Sequence, residues 1–284
     1  MQTRTSKHSG KAKKTAFKIL THAILICCSV LMLIPFLWMI SSSLKDLQEL
    51  FSIPPVWIPR HIAFENYAYM LQAAPWVQYF ANTIFITILT IAGQLVTCSL
   101  AAYSFARLRF KGRDLIFWVY LGTMMIPFQV VMIPQFKIIK FLGLVDTRSS
   151  LILLGCFNAF GTFLLRQFFM GLPRELEEAA KIDGCGYPRI FWEIVLKNSK
   201  PALVTLIIFT FMNTWNDFLR PLIFLNSSDL WTLSMGLAKF QGTYVTQWNQ
   251  LMAGALITML PVLIVYLFAQ KYFIQGIVMS GLKD

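Results

Sequence analysis

Glu178-Ala-Ala-Lys-Ile-Asp-Gly-Cys185, followed by Ile194-Val-Leu196 and Pro201, is the stretch on which the reading of this chain turns. It lies in the polar segment 171–200, between the apolar runs Ser150–Met170 and Ala202–Leu225. Pro173 suits the start of a helix. Glu175, Glu177 and Glu178 then fall in its first turns, where negative charge complements the helix dipole. Leu176, Ala179, Ala180 and Ile182 give it a narrow apolar face of little bulk. Gly184 stands where a left-handed residue ends a helix. Gly186 links to a second helix opened by Tyr187-Pro188, with Ile190, Phe191, Ile194 and Val195 as its apolar stripe. Ala179 and Ala180 allow a partner's cleft close to the backbone, and Asp183 and the glutamates can pair with basic residues across it.

The flanking sequence says what solvent the chain lives in. It is 57% hydrophobic and 13% charged, whereas a soluble domain carries about 25% charge. Six apolar runs are long enough to cross a bilayer, which takes roughly 20 helical residues. They lie near Phe17–Ile40, Tyr79–Ala106, Asp114–Phe136, Ser150–Met170, Ala202–Leu225 and Leu251–Gln270. With a cytoplasmic N-terminus, 18 of the 25 Lys and Arg residues fall on the inner side, four of them in Arg107–Arg113. This positive-inside bias puts both termini and the 171–200 loop in the cytoplasm. The expectation is an all-α, multi-pass membrane protein of six transmembrane helices, with a cytoplasmic helix between the fourth and fifth. Residues 1–16 form a basic N-terminal tail, 17–270 the transmembrane domain, and 271–284 a C-terminal tail.

The net charge of +12 does not describe a nucleic-acid surface, because apolar spans divide the basic residues. The first apolar run is too long for a signal peptide and ends without a small-x-small cleavage site. The five cysteines fall in spans or the inner loop, so no disulfide framework is implied. No phosphate-binding loop, zincin motif, C-x-x-C pair or nucleophile elbow is present. The expectation is a chain with no catalytic residue, metal or cofactor of its own.

Inside the spans, polar residues mark either packing or a solute path, because they are expensive in lipid. The third span is interrupted by Ile126-Pro127 and Ile133-Pro134, with Gln129 between them. Such breaks are tolerated where freed backbone groups meet protein or a water-filled cavity. In the fifth, Asn213 lies just past the midplane, and Trp215, Asn216 and Asp217 follow. These five residues are candidates for a solute path; an interhelical hydrogen bond or an Asp217–Arg220 pair is the structural alternative. Cys98, Ala102 and Ala106 repeat at i, i+4, i+8, spacing that permits close helix contact. The segment Phe64–Ala74 reads as a short surface helix.

The pattern E-A-A-x-x-D-G-x, then I-x-L, resembles the EAA loop of permease subunits from ABC importers. Asn82-Thr83, Ala101–Phe110, Met125–Pro127, Leu164–Phe168 and Trp215–Leu219 are similar to the carbohydrate-uptake branch, and to its maltose-type second permease. The resemblance implies a second permease subunit in a heterodimer, two copies of an ATPase subunit and an extracytoplasmic solute-binding protein, in a prokaryotic inner (plasma) membrane. It assigns the ATPase contact to Glu178, Ala179, Ala180, Asp183 and Gly184, and the cargo to a sugar or oligosaccharide. The chain departs from the pattern at Cys185, where Ala is usual, and at Lys197, where Pro usually follows I-x-L; Pro201 is the alternative start for span five. A channel or ion-coupled carrier would ask for charged residues near midspan, which are scarce. An ABC permease for a non-sugar solute is the nearer alternative.

Overall fold

A computed structural model describes residues 5–241 and 246–281. Among these residues the structure is helical, with no strand. In chain order the helices are α1 (Thr5–Ser43), α2 (Leu47–Leu50), α3 (Glu65–Gln72), α4 (Trp76–Arg107), α5 (Arg113–Gly122), α6 (Phe128–Phe141), α7 (Arg148–Gly155) and α8 (Ala159–Met170). They continue as α9 (Glu175–Ile182), α10 (Tyr187–Ile190), α11 (Leu196–Asn198), α12 (Lys200–Trp215), α13 (Leu219–Phe224), α14 (Leu233–Ala238) and α15 (Trp248–Gly281). Four stretches have the length and hydropathy of a membrane span: Phe17–Ser43, Trp76–Arg107, Arg148–Met170 and Trp248–Phe268. Two further pairs qualify only if each bent pair is one span. Arg113–Met125 with Phe128–Phe141 bends by 103°, and Tyr187–Asn198 with Lys200–Trp215 by 79°.

The first bend lies at Ile126-Pro127. Ile126 is extended (φ −86°, ψ 114°), as a residue before proline prefers. The second expected break is absent, since Pro134 sits inside α6 without ending it. The second bend lies at Ser199, and α12 starts immediately after it with Pro201 in its first turn. Without a proline at Lys197, the chain runs on through a π-turn over Phe191–Val195 and α11. Pro201 thus takes the helix-start role. The apolar run expected to be span five is also divided, with α12 ending at Trp215 and α13 starting at Leu219.

The chain forms two compact units, one of residues 1–73 with 240–257, the other of 74–239 with 258–284. In the first, the expected surface helix is present as α3. The fully buried Lys45 donates to the Val56 carbonyl and lies 4.3 Å from the centre of the Trp38 ring. Burial pulls its ammonium below the ordinary lysine value, partly offset by Glu49. Asn66 donates to the Ser43 and Lys45 carbonyls, both at 2.9 Å, and accepts from Asn249 at 2.8 Å.

The second unit is organised by α4. Its small-residue stripe, Cys98, Ala102 and Ala106, is buried with Leu165 and Phe169 of α8 and Ala202 and Leu206 of α12. The same cluster takes in Ala180 of α9 and Ile190, Phe191 and Val195 beyond it. Toward its start, α4 holds the 229–233 segment. Asn82 donates to the Asp229 and Trp231 carbonyls at 2.8 and 2.9 Å, and the Thr83 hydroxyl accepts from the Leu233 amide at 2.9 Å.

Asp146, in a left-handed conformation (φ 60°), brackets the segment after α13. Its carboxylate accepts from the Asn226 and Ser227 amides at 2.8 and 2.9 Å and from the Ser227 hydroxyl at 2.5 Å. The Ser227 hydroxyl first, then the two amides, hold this carboxyl below the usual carboxylate range. A lowered folded value means the bracket stabilises the fold above the unfolded pKa and is lost as pH falls through the folded one. Asp146→Ala is therefore expected to raise amide exchange over residues 225–228 several-fold at neutral pH. The difference from the native protein, each compared at the same pH, should vanish only below about pH 4.

Candidate functional site

Span four hides a break that its apolar composition does not announce. Residues 156–158 leave the helix between α7 and α8, freeing backbone carbonyls. One face of α4 satisfies two of them and adds a third donor to the Asn158 carbonyl, which already accepts from the Thr162 amide at 3.1 Å. Gln94 Nε2 donates to the Gly155 carbonyl at 2.7 Å, the Thr97 hydroxyl to that of Cys156 at 2.5 Å, and Cys98 Sγ to that of Asn158 at 3.3 Å. The Asn158 side chain caps α8 by accepting from the Gly161 amide at 3.1 Å. Irregular backbone at membrane depth survives only where it is buried in protein or lines a cavity, and this break lines one.

The cavity has a volume of about 440 Å³. Gly155, Phe157 and Asn158 of the break line it, with Gln94 from α4, Gln129 from α6, and Asn213, Asn216, Asp217 and Arg220 from α12, α13 and the turn between them. Four of the five path candidates, Gln129, Asn213, Asn216 and Asp217, are thus brought to one cavity. Trp215 is not. It is buried, donates from Nε1 to the Thr258 carbonyl at 3.1 Å and stacks on Phe211 with ring centres 5.1 Å apart. Helical rotation carries it a fraction of a turn away from Asn213 and Asn216 and onto α15. The Asp217–Arg220 pair also forms, at 3.8 Å, and Asp217 accepts from the Arg220 amide at 3.2 Å.

Gln94 and Asn158 escaped the sequence reading. Gln94 lies mid-helix in α4 within an otherwise apolar and hydroxyl-bearing run, and a glutamine deep inside a long apolar span was the available signal. The lining is rich in amides, and its two charges pair with each other. Such a surface offers many donors and acceptors without a fixed net charge, which suits a neutral or weakly charged polyhydroxylated molecule.

The second candidate site is α9. Its end is a Schellman turn. Gly184 is left-handed (φ 80°), its amide donates to the Lys181 carbonyl at 3.0 Å and the Cys185 amide to that of Ala180 at 2.9 Å. Cys185 is half-buried and packs against the core cluster, a place that a small side chain fills. Glu178, Ala179, Asp183 and Gly184 are exposed, and so are Leu176 and Ile182, the latter 87% exposed. Ala180, expected on the outward face, is turned inward with Glu177 and buried. Positions 177 and 180, three apart, share the face on which this helix rests. The expected apolar face of Leu176, Ala179, Ala180 and Ile182 is therefore divided between inside and outside.

The family of binding-protein-dependent transport system inner membrane components matches residues 94–279, which take in both sites. The chain belongs to this family. It is similar to the arabinooligosaccharides transport system permease protein AraQ of Halalkalibacterium halodurans, with 35% identity over 252 residues covering 88% of this chain and 90% of that protein. It is equally similar to the sn-glycerol-3-phosphate transport system permease protein UgpE of Yersinia pestis, at 35% over 271 residues, covering 92% and 96%. A crystal structure of a bacterial ABC transporter involved in import of the acidic polysaccharide alginate superposes with a TM-score of 0.80 at 26% identity, covering 92% of this chain and 98% of that one. This protein is a multi-pass inner-membrane permease subunit of an ABC importer, and its transport depends on a solute-binding protein. It is not an enzyme; ATP hydrolysis belongs to a separate subunit.

Proposed function

We propose that this permease forms half of the path for a sugar or oligosaccharide, pairing with a second, related permease subunit above two ATPase subunits. In this reading each bent helix pair is one span, giving six, and the positive-inside charge distribution places both termini and α9 in the cytoplasm. Residues 17–270 are the transmembrane domain, with the tails 1–16 and 271–284 on the inner side. The relatives named for arabinooligosaccharides and for alginate import support a carbohydrate, and the amide-rich cavity supports a polyhydroxylated solute. Gln129, Asn213, Asn216 and Asp217 are its contacts, joined by Gln94 and Asn158.

The observation that carries the coupling role is the two-sided α9. Its inner face is seated on the helix bundle, while Glu178, Ala179, Asp183 and Gly184 are presented outward, the last at a turn whose left-handed geometry favours glycine. Ala180 contributes by burying its methyl in the core cluster that includes Ala102 and Ala106 of α4. A groove on an ATPase subunit that received this face would push α9 on closing, and the push would bias the spans between two states.

Gly184 provides the test. A Cβ built there meets nothing within 4 Å, so Gly184→Ala adds only the left-handed strain, about 1–2 kcal/mol. Gly184→Trp adds the same strain and a bulky obstacle on the outer face. In the assembled complex, Gly184→Trp is expected to lower solute uptake by at least roughly tenfold, and Gly184→Ala to stay near native. Equal behaviour of the two variants would remove docking from the explanation, and native uptake in both would remove α9 from the coupling path.

A further inference from the structure

Glu177 and Glu178 are neighbours in sequence but face opposite ways, and only Glu178 belongs to the outward surface. Glu177 Oε1 and Arg107 Nε form a charge contact at 2.8 Å without the alignment of a hydrogen bond, and both side chains are nearly inaccessible, at 9% and 5% exposure. Arg107 is the last residue of α4. Its other arm, Nη2, donates to the Leu172 carbonyl just after α8 at 2.8 Å. One planar guanidinium thus joins α9 to the ends of α4 and α8. Arginine is suited to this because its fork is rigid and always charged.

Nothing else on the inner face of α9 could hold it as firmly. Within the helix that face buries only Glu177 and the methyl of Ala180, too little apolar surface to clamp a helix against a load. From Arg107, α4 runs straight to Gln94, roughly 20 Å up the axis at 1.5 Å per residue. Gln94 lines the cavity and grips the α7–α8 break there.

We infer that the Arg107–Glu177 pair is the strut that turns a push on α9 into movement of α4 and α8, so that Glu177 is a positioning residue for transport and not a contact with the ATPase. The inference rests on α9 being the coupling helix. It predicts opposite behaviour for two adjacent glutamates. Loss of Glu178 weakens attachment of the ATPase, whereas loss of Glu177 leaves the complex assembled and hydrolysing ATP but moving little solute.

The experiment uses the whole complex with its binding protein in proteoliposomes, reading copurification of the ATPase, ATP hydrolysis and solute uptake. Glu177→Gln is expected to copurify normally and to lower solute moved per ATP by roughly tenfold. The pair Arg107→Met with Glu177→Met removes both buried charges, so no uncompensated charge remains to disturb folding. It is expected to assemble and stay uncoupled. The exchanged pair Arg107→Glu with Glu177→Arg is expected to recover part of the native ratio. A native ratio in Glu177→Gln, or recovery of it in the Met pair, would overturn the strut, because charge neutrality and not the link would then be what matters. Gly184→Trp in the same assay separates the two failures. If it uncouples while the Glu177 variants do not, only the strut is lost; if neither uncouples, α9 is not the coupling helix.

Discussion

Gly161→Ala is expected to destabilise the permease by about 1–3 kcal/mol, the usual cost of overpacking a tight interior. Gly161 lies in the first turn of α8, where that helix crosses α4 and approaches α12. A methyl there would stand 2.7 Å from Leu206 Cδ1 and 3.1 Å from Cys98 Sγ. Neither neighbour has room to yield, since Leu206 and Cys98 are each 1% exposed. Cys98 is also held by its contact with the Asn158 carbonyl. The added methyl therefore has to separate α8 from α12, α4 or both. Thermal unfolding of the detergent-solubilised complex reads the loss, and Leu206→Ala in the same chain should recover part of it by vacating the nearer obstacle. Leu206→Ala alone should cost about 2–5 kcal/mol through the cavity it leaves. The two changes are thus expected to be less than additive. Full additivity would show that the helices do not meet at this glycine.

What makes Gly161 so tightly enclosed was partly legible in the sequence. The i, i+4, i+8 spacing of Cys98, Ala102 and Ala106 announces a close helix contact, and it is the contact that α8 and α12 make. The capping pattern of α9 was equally plain, down to the left-handed Gly184, because local backbone chemistry fixes it. Two kinds of information were not local. The rotation of α9 about its axis depends on Arg107, about seventy residues earlier, so sequence could not tell that Glu177 and Ala180 turn inward while Ala179 turns outward. The break in span four was invisible for a similar reason. Nothing in Gly155-Cys-Phe-Asn158 forbids a helix, and the interruption exists because α4 supplies donors for the freed carbonyls. Trp215 was drawn into the solute path by its chemistry, although its register on α12 points it toward Thr258.

Those donors lead to the second large expected effect. Gln94→Leu keeps the size of the side chain and removes its hydrogen bond to the Gly155 carbonyl. Thr210 loses an acceptor too, but its hydroxyl lies 2.8 Å from the Leu206 carbonyl as well as 2.7 Å from Gln94 Oε1, so it keeps a partner. The damage therefore concentrates on the buried carbonyl, and leaving one such group unsatisfied costs about 1–3 kcal/mol. Gly155 borders the cavity, so the chain has a cheaper escape than bearing that cost: a shift of α7 and α8 that turns this carbonyl toward water there. That would reshape the wall on which Asn158 sits. Gln94→Leu is thus expected to lower solute uptake more than it lowers thermal stability, with the ATPase still attached. Thr97→Val removes the neighbouring donor, to the Cys156 carbonyl, from a residue that does not line this cavity. It should do the reverse, costing stability with a smaller change in uptake. Uptake measured beside unfolding temperature for the pair decides the point, since parallel losses in both variants would mean that the break serves packing alone and the cavity draws nothing from it.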